Sequence, residues 1–143
     1  MLVEAAVLTP VLFVLVYGVL EFSWIFFQQQ LVVSGVRDAA RYLAQMSSNP
    51  CSNTTWVSNA QNLAATGTIG SGGTARVLGW SSTDVNISCP AGNTGGFTYN
   101  APTTTVLVQT SFAFTDPGLG LFGMLGLQAP NISVSHQERA IGG

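Results

Sequence analysis

Lysine is absent from this sequence, histidine occurs once and cysteine twice, and charged residues make up 7% of its 143 positions. A typical soluble domain carries about 25% charged residues. The apolar share, 47%, is ordinary, so the missing charge is replaced by Ser, Thr, Asn, Gln and 16 Gly rather than by a larger core. A net charge of −2 with four arginines excludes an electrostatic nucleic-acid binder, which needs a clustered basic footprint. Disorder is excluded too, because disordered chains are rich in charge and poor in aromatics. Six carboxylates and one histidine leave little material for acid–base catalysis. His136 stands alone, and Gly70-Ser71-Gly72-Gly73 lacks the lysine and the strand–loop–helix frame of a phosphate loop. No metal-ligating set is apparent, and no cofactor is expected.

The apolar residues are concentrated at the start. Between Ala5 and Val36 the only charged side chain is Glu21. About 20 apolar residues in a helix cross a bilayer core of about 30 Å. The competing reading, a buried core helix, would need more chain to wrap it than remains. A removable signal peptide would stop at a small-residue cleavage site. Here the helical pattern continues instead, with Leu31, Val32, Gly35, Ala39, Tyr42 and Leu43 recurring every three or four residues. Gln28 to Gln30, Arg37, Asp38 and Arg41 are expected outside that stripe. Pro50 ends the pattern, because the residue before a proline is driven out of the α region. The spacing predicts one helix from Leu2 to Met46, about 65 Å long. Pro10 and Gly18 are its expected kink points.

Glu4 and Glu21 are the informative residues, because a carboxylate in lipid costs about 2.5–3.5 kcal/mol on insertion scales. Glu4 either snorkels to the interface or pairs with an α-amino group, its own or a neighbour's. Glu21 precedes Trp24, Phe26 and Phe27, which read as an interfacial aromatic belt. It is expected at that interface, with Arg37 or Arg41 of another copy as the alternative partner. The positive-inside rule would put Arg37 and Arg41 in the cytoplasm, whereas the chain beyond Pro50 reads as exported. A basic leader removed ahead of residue 1 reconciles the two.

The chain beyond Pro50 has the character of a small exported domain. Cys51 and Cys89, in a Ser/Thr/Asn/Gly-rich context, point to one disulfide in an oxidising compartment, with two free buried thiols as the alternative. Asn53 or Thr54 caps a short helix over Thr55 to Ala65, closed by Gly67. Strands are predicted over Ala75–Trp80, Val85–Cys89, Thr103–Phe114 and Ile132–Arg139, with an edge strand over Phe97–Tyr99. Asp116-Pro117-Gly118 is a turn. The glycine-broken apolar stretch Leu119, Leu121, Phe122, Met124, Leu125 and Leu127 is the candidate interface of the head. The fold class is α+β, with a transmembrane or filament-core helix over 1–47 and a β-rich head over 48–143.

Val3-Glu4-Ala5-Ala6, Pro10-Val11-Leu12, Gly18, Glu21-Phe22, Gln30 and Arg37-Asp38-Ala39-Ala40-Arg41-Tyr42, in that order, resemble the TadE-like pilins. These are type IV filament subunits of the bacterial tight-adherence system. The resemblance implies a pilin-like fold. It also implies a leader ending in glycine, removed by a prepilin peptidase, and an assembly platform as partner. Glu4 would pair with the N-terminal amine of a neighbour, and Arg37, Asp38 and Arg41 are the candidate charges between subunits. The chain would reside in the inner membrane, head outward, before joining copies of itself or related pilins in an extracellular or periplasmic filament. The alternative is a membrane-anchored extracytoplasmic binding domain that does not polymerise.

Overall fold

In a computed structural model, residues 2–47, 49–90, 104–115, 123 and 126–141 are described, residues 2–4 by their backbone alone. One helix, α1, runs unbroken from Leu2 to Met46, with the limits the sequence predicts. It continues through Pro10 and Gly18 without interruption. A single 3-10 turn over Pro50–Ser52 comes next. The second helix, α2, covers Thr54–Thr66 and is punctuated by its own sequence. The Asn53 carboxamide oxygen accepts from the backbone N–H groups of Thr55 (2.9 Å) and Trp56 (3.3 Å). At the other end Gly67 takes φ +78°, and its N–H donates to Leu63 O at 2.9 Å. Only a residue tolerant of that conformation ends a helix this way.

The three strands β1 (Val85–Ser88), β2 (Thr105–Ala113) and β3 (Asn131–Arg139) form an antiparallel sheet in the order β1-β2-β3. The register sets Ile87 opposite Val108 and Ile132 opposite Phe112. Along β2, Val106, Val108, Thr110 and Phe112 are buried, while Gln109, Ser111 and Ala113 face water. The second half of α1 lies over the inward face with α2. Val32, Val36, Ala39, Leu43, Ala64 and Trp80 close one core with it.

Gly35 marks the tightest approach. A Cβ there would collide with the Ala64 carbonyl of α2 and stand 2.8 Å from Trp80 Cη2. The small residues Ala39, Ala40, Ala60 and Ala64 line the same seam, all fully buried. Trp80 connects the seam to the sheet. Its ring stacks on Phe112 (centroids 5.9 Å apart, 12° between planes). Its Nε1–H donates to Thr110 Oγ1 at 3.0 Å, and that hydroxyl donates to Asp84 O at 3.0 Å. The one polar side chain buried within β2 is thereby satisfied.

The predicted strand over Ala75–Trp80 is a correction. The segment is a run of turns, in which Gly79 has φ +82° and Trp80 N–H donates to Val77 O at 3.1 Å. In a strand Val77 and Trp80 would face opposite sides. The turn brings both inward, 2% exposed each, and turns Leu78 out. The remaining strands match their predicted positions to within two residues, and α2 extends the expected helix by one residue at each end. The expected edge strand over Phe97–Tyr99 and the turn at Asp116–Gly118 lie outside the described residues.

Cys51 and Cys89 are joined, with Cα atoms 5.9 Å apart, so the chain leaving α1 is tied to the end of β1. The bond closes a loop of 38 residues' separation, and loop-closure entropy for that length corresponds to about 4 kcal/mol. Replacing both cysteines with alanine is expected to lower head stability by about that amount in urea unfolding followed by Trp fluorescence. Gly35→Ala is expected to cost about 1–3 kcal/mol by overpacking, against the helix propensity that favours alanine. Gly18→Ala, where nothing lies within 4 Å of the added carbon, is expected to leave thermal unfolding unchanged or slightly raised.

Candidate functional site

The helix α1 has two halves in different surroundings. In the first, Val7, Leu12, Val16, Leu20 and Phe26 are each more than half exposed. Of its most apolar 18-residue window, mean hydropathy 2.1, only 6% is buried. This excludes the buried-core-helix reading, since the apolar side chains are not covered by the head. By length and composition the helix is a candidate membrane span. Its Ser and Thr hydroxyls are satisfied internally: Thr9 Oγ1 donates to Ala5 O at 2.6 Å and Ser23 Oγ to Val19 O at 2.7 Å. An apolar environment requires that. Phe13 and Tyr17 approach with ring centroids 6.5 Å apart, and Trp24 and Phe27 at 5.6 Å. The second pair sits where the apolar half gives way to the head.

Glu21 lies at this junction, and it departs from expectation. Rather than reaching an interface with water it is 2% exposed, and neither carboxylate oxygen has a hydrogen-bond partner. Gln28 differs from expectation in the same way. It is 3% exposed, with Oε1 unpartnered, although the glutamine run is expected outside the buried stripe. The reason is periodic: Gln28 is seven residues from Glu21 and four from Val32, so the three share one helix face. Ile25, between them, packs against the core. The stripe that enters the head therefore begins at Glu21, ten residues before the apolar pattern makes it visible.

Of the three charges expected between subunits, Arg37 and Arg41 are exposed, and no ion pair within the described residues reaches them. Asp38 is engaged within its own chain, accepting from Arg76 Nη2 at 3.0 Å. That pair holds the loop after α2 against α1. Its groups are 23% and 44% exposed, so it adds little stability and mainly fixes position. Glu4 stands in the first turns of α1. Of the candidate head interface, Leu127 is exposed at 57%, and Leu119, Leu121, Phe122, Met124 and Leu125 lie outside the described residues.

The head offers little chemistry. His136 Nε2 lies 3.2 Å from Glu138 Oε2, half-exposed on β3. A hollow of about 500 Å³ over the outer sheet face is lined by Asn86, Gln109, Ser111, Ser133 and Ser135, with Asp84 at its edge. The Asp84 carboxylate already accepts from Ser81 N at 2.8 Å. Among the described residues no three His, Cys, Asp or Glu side chains gather to hold a metal.

No curated protein and no solved structure matches this chain. A family model does match, and it matches the helix rather than the head: residues 1–41 fit the family described as TadE-like protein. That stretch holds the exposed apolar half, the carboxylates Glu4, Glu21 and Asp38 and the two exposed arginines. The family is a structural component of the tight-adherence pilus rather than an enzyme family. Over residues 1–41, and not over the head, this chain is similar to that family.

Proposed function

We propose that this chain is a structural subunit, a pilin or minor pseudopilin, of a bacterial tight-adherence type IV-like filament. The observation that carries the proposal is the bare apolar half of α1, joined without a break to a half that is built into the head. Such a surface is unfavourable in water, at roughly 25 cal/mol per Å². It is stable in lipid, or among other helices of the same kind. The chain waits in the inner membrane with its head outside and then exchanges lipid for copies of itself or related pilins. A head-to-tail contact that does not close on itself generates a helical filament.

In this reading Glu4 pairs with the N-terminal amine of a neighbour, which offsets the cost of carrying a carboxylate into an apolar core. A prepilin peptidase and an assembly platform are the partners that the TadE-like resemblance of residues 1–41 implies. The nearly uncharged head, with Arg76, Asp84, Asp116, Glu138 and Arg139 as its charges, stacks without strong like-charge repulsion.

The test is whether filaments sheared from cells contain this chain with its apolar helix intact. Glu4→Ala is expected to leave membrane insertion and the Cys51–Cys89 bond unchanged while filament yield falls at least tenfold. Wild-type yield in that variant would overturn the pairing role of Glu4. A chain extracted from membranes only as a monomer, in cells whose filaments form normally without it, would overturn the filament reading. It would favour an anchored binding domain instead.

A further inference from the structure

The acceptors at Glu21 and Gln28 have no donor. Both side chains are more than nine-tenths buried, and three oxygen atoms, the two of the Glu21 carboxylate and Gln28 Oε1, are without hydrogen bonds. Burying a carboxylate without a partner is costly. The chain's own cations cannot supply one. There is no lysine. Arg37 and Arg41 stand on the same rigid helix, about 24 Å and about 30 Å further along its axis. Arg76 is held by Asp38. Arg139 ends β3, where the next residues bring Ile141 N–H to Ala44 O at 2.8 Å, so it lies near the far end of α1. His136 is engaged with Glu138.

The same helix carries the complementary excess. Arg37 and Arg41, one turn apart, are exposed, and no ion pair among the described residues reaches either. At 100° per residue they stand about 160° and about 200° around the helix from Glu21, on the opposite face. An unpaired anion on the front and unpaired cations on the back cannot meet within one chain. They meet between two parallel copies, the back of one against the front of the next.

Resting on the filament reading above, we infer that Glu21 is the acceptor for Arg37 or Arg41 of a second copy. This contact sets an axial stagger of about 24–30 Å between the paired helices. Copies inserted into one membrane share one orientation, so a stagger along the axis brings the charges level. The contact is heterologous, and it propagates rather than closing into a dimer. In the single chain the acceptor face is covered, so residues 21–28 of α1 open as the neighbour docks. Arginine suits the site because its long stem passes apolar surface while its planar head satisfies both carboxylate oxygens, with further donors for Gln28 Oε1.

A double-mutant cycle read as sheared-filament yield tests the pairing. Glu21→Gln is nearly isosteric, and Arg37→Gln with Arg41→Gln removes both donors. Membrane level and an intact Cys51–Cys89 bond report folding in each variant. Each change is expected to lower yield at least tenfold, and the combined variant no further than either. Arg37→Lys with Arg41→Lys, which keeps the charge, should stay within about twofold of wild type. Near-wild-type yield after either Gln change, or a combined loss equal to the product of the two, would overturn the inference and leave the filament reading standing. Absence of the wild-type chain from filaments would overturn both.

Discussion

The head depends on one close contact, the approach of α1 and α2 at Gly35. No side chain larger than hydrogen fits there, because the Ala64 carbonyl and the Trp80 ring occupy the place of a Cβ. That approach lets a 13-residue helix and a three-stranded sheet share one core with a much longer rod. Trp80 turns the contact into a network. It covers Gly35, stacks on Phe112 and donates to Thr110, whose hydroxyl reaches the turn before β1. The disulfide adds a second tie beside it, from the chain after α1 to the end of β1.

The same rod is solvated in two ways. From Val32 onward its inward stripe is replaced, residue by residue, by alanines, valines and aromatics of the head. Before Glu21 nothing among the described residues covers it, and the Thr9 hydroxyl closes on the Ala5 carbonyl. The charges obey this division. Arg76 and Asp84 of the head are tied locally, Arg76 to Asp38 of the rod and Asp84 to the backbone N–H of Ser81. Those on the rod, Glu21, Arg37 and Arg41, have no local answer. A chain whose unpaired groups and bare apolar surface share one element is incomplete by itself along that element.

Much of this is legible in the residues. The limits of α1 come from an uninterrupted helical pattern ended by Pro50, and those of α2 from Asn53 and Gly67, whose roles are local chemistry. The alternation over Thr105–Ala113 defines the central strand because one face of it is buried. Ala75–Trp80 misleads because Val77 and Trp80 look like strand residues, while the glycine between them sets a turn that only the tertiary contact of Trp80 with Gly35 explains. Glu21 and Gln28 mislead for a related reason. Polarity predicts exposure, and their burial is decided by which helix face enters the head. The spacing of seven, read together with Val32, is the available signal. The Asp38–Arg76 pair spans 38 positions, and no local pattern points to it.

The central claim is that the apolar half of α1 leaves lipid and becomes the interior of a polymer. The most direct measurement places single cysteines at Val14 and, as an exposed head control, at Leu78. Filaments sheared from cells are then labelled with a water-soluble maleimide. The account predicts strong labelling at Leu78 and at least tenfold weaker labelling at Val14, with both chains present in the sheared material. Equal labelling at the two positions, or a Val14 variant found only in the membrane fraction while filaments form normally, would contradict it.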